Sequence, residues 1–133
     1  MAMKLIYLAS PYLLRENKPE GYNHMAWKDH CFTIQYERYQ KAIDATAYLM
    51  KKGLCVYSPI VATHPVAVKH TLPLGSEYWL QFDEIILNKC DEIVVLKLPG
   101  WEESPGVKRE IEVMIALGKE VTYLDPEVII NEI

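Results

Sequence analysis

The sequence predicts an α/β fold, a three-layer, flavodoxin-like or Rossmann-like open parallel sheet of four to five strands with helices on both faces. Two observations predict it. Short apolar runs bounded by Pro and Gly alternate with longer segments of helical period in the order βαβαβαβ, which favours parallel strands joined by right-handed crossovers. Irregular residues gather in two long loops, 10 to about 28 and 59 to 75, each beginning where a strand ends. In open parallel sheets that edge is where ligands bind.

The elements follow in order. Residues 4–9 and 54–58 are apolar runs bounded by Ser-Pro pairs, and both read as strands. Between them Phe32, Tyr36, Tyr39, Ile43, Ala47 and Met50 recur at spacings of three or four and Gly53 follows, the pattern of a long amphipathic helix with its stop. A second helix covers about 76–89. A third strand, 91–98, runs into Pro99-Gly100, and a third helix starts near Pro105 and ends at Gly118. Residues 120–124 make the last strand, stopped by Asp125-Pro126.

The chain has 133 residues, the size of one domain spanning 1–133, and is 50% apolar and 24% charged, unlike a disordered segment. Fourteen Lys and Arg against eighteen Asp and Glu leave a net charge of −4 with no basic run, so no footprint for duplex nucleic acid is present. No apolar stretch approaches the ~20 residues of a membrane span, and the N-terminal apolar segment is too short for a signal peptide. The expected location is cytoplasmic. Cys31, Cys55 and Cys90 have no close-spaced pair, which suits buried free thiols in a reducing compartment. His24, His30, His64 and His70 have no Cys or carboxylate at metal spacing, so they read as loop histidines and no metal is expected.

Two carboxylates fit poorly in an ordinary helix surface. Asp83 has Trp79, Leu80, Ile86 and Leu87 three or four residues away, and Glu110 lies beside the stripe formed by 107, 111, 114, 115 and 118. Both therefore point inward, on consecutive helices flanking one strand. Ser104-Pro105-Gly106 opens the third helix as N-cap and first turn, and its hydroxyl and free amides also suit an anion. Tyr7, Ser10 and Tyr12 occupy the end of the first strand, with Arg15 a few residues on. Tyr12, Tyr22, Trp27, Tyr78, Trp79 and Trp101 lie in or beside the ligand-edge loops, a placement compatible with stacking on a planar base.

Tyr7-Leu8-Ala9-Ser10-Pro11-Tyr12, Asp83, Cys90-Asp91-Glu92-Ile93-Val94-Val95, Ser104-Pro105-Gly106-Val107-Lys108-Arg109-Glu110-Ile111 and Ala116-Leu117-Gly118-Lys119, taken in order, resemble the nucleoside 2-deoxyribosyltransferase superfamily. That superfamily also holds the 2′-deoxynucleoside 5′-monophosphate N-glycosidases. The resemblance covers most of the chain, is most specific from Ser104 to Lys119, and is closest to a branch of small proteins sharing Leu98-Pro99-Gly100-Trp101. It implies a nucleophilic role for Glu110, assistance at the base or sugar from Asp83, phosphate binding at Ser104, and a sugar pocket lined by Tyr7 and Ser10. The chain departs from the pattern at Glu112, where Gly is frequent, and at Trp101-Glu102-Glu103, where the transferases carry Asp or Gly.

The expected function is cleavage of the N-glycosidic bond of a nucleoside 5′-monophosphate or nucleoside, by hydrolysis or base transfer, without a cofactor. Glu110 and Asp83 are the candidate catalytic residues; Tyr7, Ser10, Tyr12, Arg15, His64, Ser104 and Gly106 are the candidate substrate-binding residues. The alternative is a catalytically silent nucleotide-binding protein, a sensor or sequestering module, on the same fold. A different reaction, such as cleavage of a nicotinamide dinucleotide, is a weaker third. The resemblance also implies a homo-oligomer.

Overall fold

The structure is a computed structural model that describes residues 3–14, 16–72 and 76–132. Four strands, β1 (Leu5–Ala9), β2 (Cys55–Tyr57), β3 (Glu92–Leu96) and β4 (Glu120–Leu124), form one parallel sheet in the order β2-β1-β3-β4. The helices among the described residues are α1 (His24–Lys51), α2 (Pro59–His70), α3 (Ser76–Leu87), α4 (Pro105–Ala116) and α5 (Pro126–Ile130). This is the predicted three-layer open sheet, with four strands. No helix among the described residues is long and apolar enough to cross a membrane.

Strand side chains alternate between two cores, because successive residues of a strand point to opposite faces. Ile6, Leu8, Val94 and Leu96 meet Ala45 and Leu49 of α1 and Ile129 of α5. Tyr7, Ala9, Ile93 and Val95 meet Leu87 of α3 and Val107 and Met114 of α4. Both faces are covered, which is why these strands read as continuous apolar runs rather than alternating ones.

The long helix forms as predicted but turns a different face inward. Its buried stripe is Gln35, Ala42, Ala45, Thr46 and Leu49, whereas Phe32, Tyr36 and Met50 are more than half exposed. Small side chains let the helix lie close to the sheet, so the bulkiest residues end up outside. The stripe on α4 needs a similar correction. Val107 and Met114 are buried, but Ile115 is 63% exposed. Of the three cysteines, all free, Cys90 alone is buried and Cys55 is exposed, so the expectation of buried thiols holds for one residue.

Of the predicted loop 59–75, residues 59–70 are helix, and residues 73–75 lie outside the described residues. Ser58 caps α2 by accepting from the Val61 amide at 3.2 Å, and Pro59 fills the first turn. Pro65 sits inside this helix, which hides it from a sequence reading because Pro removes a helical hydrogen bond. His24, His30, His64 and His70 are helical residues, not loop histidines. The loop after β1 ends at Asn23, whose side chain accepts from the Met25 and Ala26 amides. Asp125-Pro126 stops β4 as predicted and also opens the short helix α5.

Arg38 of α1 ties together two loops at the carboxyl edge. Its Nη1 donates to the Leu13 carbonyl at 2.9 Å, and its Nη2 donates to the Pro99 carbonyl at 3.0 Å. Gly100 is needed beside it: φ is +91°, and a Cβ there would stand 2.9 Å from Nη2. The Gly100→Ala change should therefore cost about 1–2 kcal/mol from backbone strain alone, and somewhat more if the guanidinium is displaced. Urea unfolding checks this. In an Arg38→Met background the cost of Gly100→Ala should fall to the backbone part, and an undiminished cost would show that the clamp is not coupled to the glycine.

Candidate active site

The chain leaves β1 for β2 on one side of the sheet, and β3 pairs with β1 on the other. Ligands bind beyond the carboxyl ends of the strands at such a switch point. A cavity of about 910 Å³, counted with its open mouth, lies there. Ser10 and Tyr12 after β1 form one wall, and Ile60, Thr63 and His64 of α2 a second. Trp79, Leu80 and Asp83 of α3 face Ser104, Gly106 and Glu110 of α4.

Glu110 is carried inward on the face of α4 that also buries Val107 and Met114. Its Oε2 accepts a hydrogen bond from the phenol of Tyr7, which is fully buried in the central strand β1. Burial, with the charges of Glu110 and Asp83, holds the Tyr7 pKa well above the usual 10, so the phenol keeps its proton and donates. Burial also pushes the Glu110 carboxyl up to about 8; the Tyr7 bond opposes this shift and the charge of Asp83 adds to it. Asp83 is pushed up to about 7 by burial.

Among the described residues, the buried side-chain polar atoms without a partner are Ser10 Oγ and Asp83 Oδ1. Both residues line this cavity. Leaving a buried polar atom unpaired costs about 1–3 kcal/mol, and both of these atoms belong to residues that line the one cavity. At the rim, Ser104 Oγ accepts from the Val107 amide at 3.3 Å as the cap of α4. The Gly106 amide belongs to the first turn, where no helical acceptor exists, and the helix dipole adds positive potential there.

The predicted residues thus separate into groups. Ser10, Tyr12, His64, Asp83, Ser104, Gly106 and Glu110 share the cavity. Tyr7 stands behind Glu110 and supports it. Arg15 lies outside the described residues. Of the aromatic set, Tyr12 and Trp79 are on the wall, whereas Tyr22 packs on Trp27 and Trp101 packs on Tyr123, at 5.5 Å between centroids in each case. Among the described residues no three His, Cys, Asp or Glu side chains come together as a metal site requires.

The sequence reading missed the α2 wall, although Ser58-Pro59 carries the same cap signature as Ser104-Pro105. It also missed an ion pair at the mouth. Arg109 Nη2 lies 2.6 Å from Glu84 Oε1, and its Nε donates to the same oxygen at 2.8 Å, joining α3 and α4 one residue from each candidate carboxylate. Half-exposed, the pair adds at most ~1 kcal/mol to stability. It does fix the spacing of the two helices.

Burial of an unpaired carboxyl has a cost that depends on pH. In the unfolded chain Glu110 ionises near its ordinary 4.5, but in the folded protein it holds its proton to about 8. Between those values the folded state binds more protons, so stability falls as pH rises. Glu110→Gln should be more stable than the parent, with an advantage that grows from near pH 4.5 to about 8 at no more than ~1.4 kcal/mol per pH unit, then levels. Urea unfolding at several pH values measures it, and a difference independent of pH would mean that Glu110 is solvated.

None of the curated proteins compared matches the chain. The family described as Domain of unknown function (DUF1937) matches residues 4–125, nearly the whole length, and the protein belongs to that family.

Proposed function

We propose that the protein cleaves the N-glycosidic bond of a nucleoside 5′-monophosphate or nucleoside, with Glu110 as nucleophile and Asp83 as proton donor to the departing base. The observation that carries this reading is a half-buried pair of carboxyl groups in one cavity, one braced by the Tyr7 phenol and the other with an unpartnered oxygen. Breaking such a bond develops oxocarbenium character on the sugar, and a carboxylate captures C1′ while an acid protonates the leaving group. The Tyr7 bond to Oε2 leaves Oε1 as the attacking atom. Water then hydrolyses the glycosyl ester, or a second base takes the sugar.

The resemblance in the stretch from Ser104 to Lys119 supports the same assignment. A 5′-phosphate suits the first turn of α4, where Ser104 and the Gly106 amide meet the dipole. Exposed apolar side chains on two helices, Phe32 and Tyr36 of α1 and Tyr78 and Ile85 of α3, support a homo-oligomer as part of this reading. One observation favours the silent alternative: burial that keeps Glu110 protonated near neutral pH weakens it as a nucleophile.

Release of free base from a panel of nucleotides decides between the two. Turnover requires Glu110 ionised and Asp83 protonated, the less populated arrangement with Asp83 near 7 and Glu110 near 8, so kcat/KM should be a low bell with limbs near those values. Glu110→Gln should abolish release and keep binding, and Asp83→Asn should remove the alkaline limb. Binding without release by the parent protein would establish the silent reading. Ser104→Ala should reduce the preference for nucleotide over nucleoside about tenfold or more, with ~1 kcal/mol of stability lost through the cap. If stability falls but the preference stays, Ser104 is a cap alone.

A further inference from the structure

His64 lies on the α2 wall, across the cavity from α4, inside a ring of aromatic side chains. It stacks on Tyr39 of α1 with centroids 4.0 Å apart and planes at 22°, and it meets the Tyr12 ring edge-on at 5.6 Å. The residue is 8% exposed, and this packing holds the imidazole in one orientation. Its Nδ1 shares a hydrogen bond with the Tyr12 hydroxyl, and that hydroxyl is 2.8 Å from Nε2 of Gln35, itself buried on α1.

The direction of the chain follows from its members. An amide nitrogen only donates, so the Tyr12 oxygen accepts from Gln35. Its one proton then has His64 Nδ1 as the acceptor within reach among the described residues, and the relay follows with Nδ1 accepting. A neutral imidazole carries one proton, and with Nδ1 accepting it resides on Nε2. Burial lowers the His64 pKa from 6.5, so the ring is neutral above neutral pH. Nε2 has no protein partner among the described residues, and both His64 and Tyr12 line the cavity. Thr63, the neighbouring polar side chain on that wall, is already engaged: its hydroxyl donates to the Pro59 carbonyl at 2.6 Å.

We infer that Gln35 and Tyr12 are positioning residues that hold His64 as its Nε2–H form, and that His64 presents this proton to an acceptor atom of the ligand. The assignment rests on the proposed function for the identity of the ligand, but not for the state of the ring. It gives the α2 wall a fixed donor, facing carboxyl groups that exchange protons on the other side. An oxygen or ring nitrogen of the ligand without a proton of its own fits that donor, and a ligand N–H or ammonium there is rejected.

The test uses the full chain labelled with 15N-histidine, free of ligand, at pH 7.5. Long-range proton–nitrogen spectra, with His64 assigned through His64→Gln, should show a protonated Nε2 and a bare Nδ1. A protonated Nδ1, or averaging between the two forms, overturns the relay. Tyr12→Phe, checked for folding by circular dichroism, should replace the fixed pattern by averaging. On whichever nucleoside 5′-monophosphate the parent cleaves, this variant should raise KM about two- to tenfold, the range of one hydrogen bond, and change kcat less. Averaging with an unchanged KM overturns the donor role. If neither a nucleotide nor a nucleoside is cleaved, the proposed function fails, while the spectrum of the free protein still judges the relay.

Discussion

The hydrogen bond between Tyr7 and Glu110 joins residues 103 positions apart and ties the central strand to the helix that closes the site. It is a weak compensation for what it accompanies. A carboxyl drawn partly out of water loses much of its hydration, and one phenolic proton returns only part of that. The nearest basic residue in sequence, Arg109, is held by Glu84 at the mouth and is not a cause of the Glu110 shift. Burial without a counter-charge is unfavourable to folding, and such arrangements persist where activity depends on them.

The rest of the architecture places that pair. Because β1 is flanked by β2 and β3, its carboxyl end delivers Ser10 and Tyr12 to the crevice, and the α4 N-terminus arrives beside it from β3. Arg38 fastens the segment around Leu13 to Pro99, so the loops leaving β1 and β3 hold a common position. The floor of the cavity is strand, and its walls are helix ends and helix faces. That combination favours a fixed geometry for the side chains around the cavity.

Much of this was legible in the sequence, for identifiable reasons. The two inner strands, β1 and β3, were readable because strands buried on both faces must be apolar throughout, and α4 because Ser104-Pro105 and Gly118 mark its two ends. The inward carboxylates were readable because Asp83 and Glu110 interrupt apolar helical stripes. The buried face of α1 was not, since the criterion of bulk selects Phe32, Tyr36 and Met50, and close helix–sheet packing selects Ala42 and Ala45 instead. The helix α2 was hidden by Pro65. The Tyr7–Glu110 and Gln35–Tyr12–His64 contacts join distant parts of the chain, and no local pattern encodes a pairing made only by the fold.

On the proposed function, the high resting pKa of Glu110 is part of how the site discriminates between ground state and transition state. Burial, with the charge of Asp83 and no cation beside it, is why this carboxyl holds its proton. As the glycosidic bond stretches, positive charge appears on the sugar beside Oε1, in a site of low dielectric where such an attraction is strong. The interaction is absent before the bond stretches and greatest when it is most broken, so it lowers the barrier without tightening the ground state. A solvated glutamate would offer the same charge to both states and accelerate little. The cost of burying Glu110 in the folded protein, its protonation near neutral pH and the strength of its attraction for the sugar's positive charge once ionised are then consequences of the same missing counter-charge.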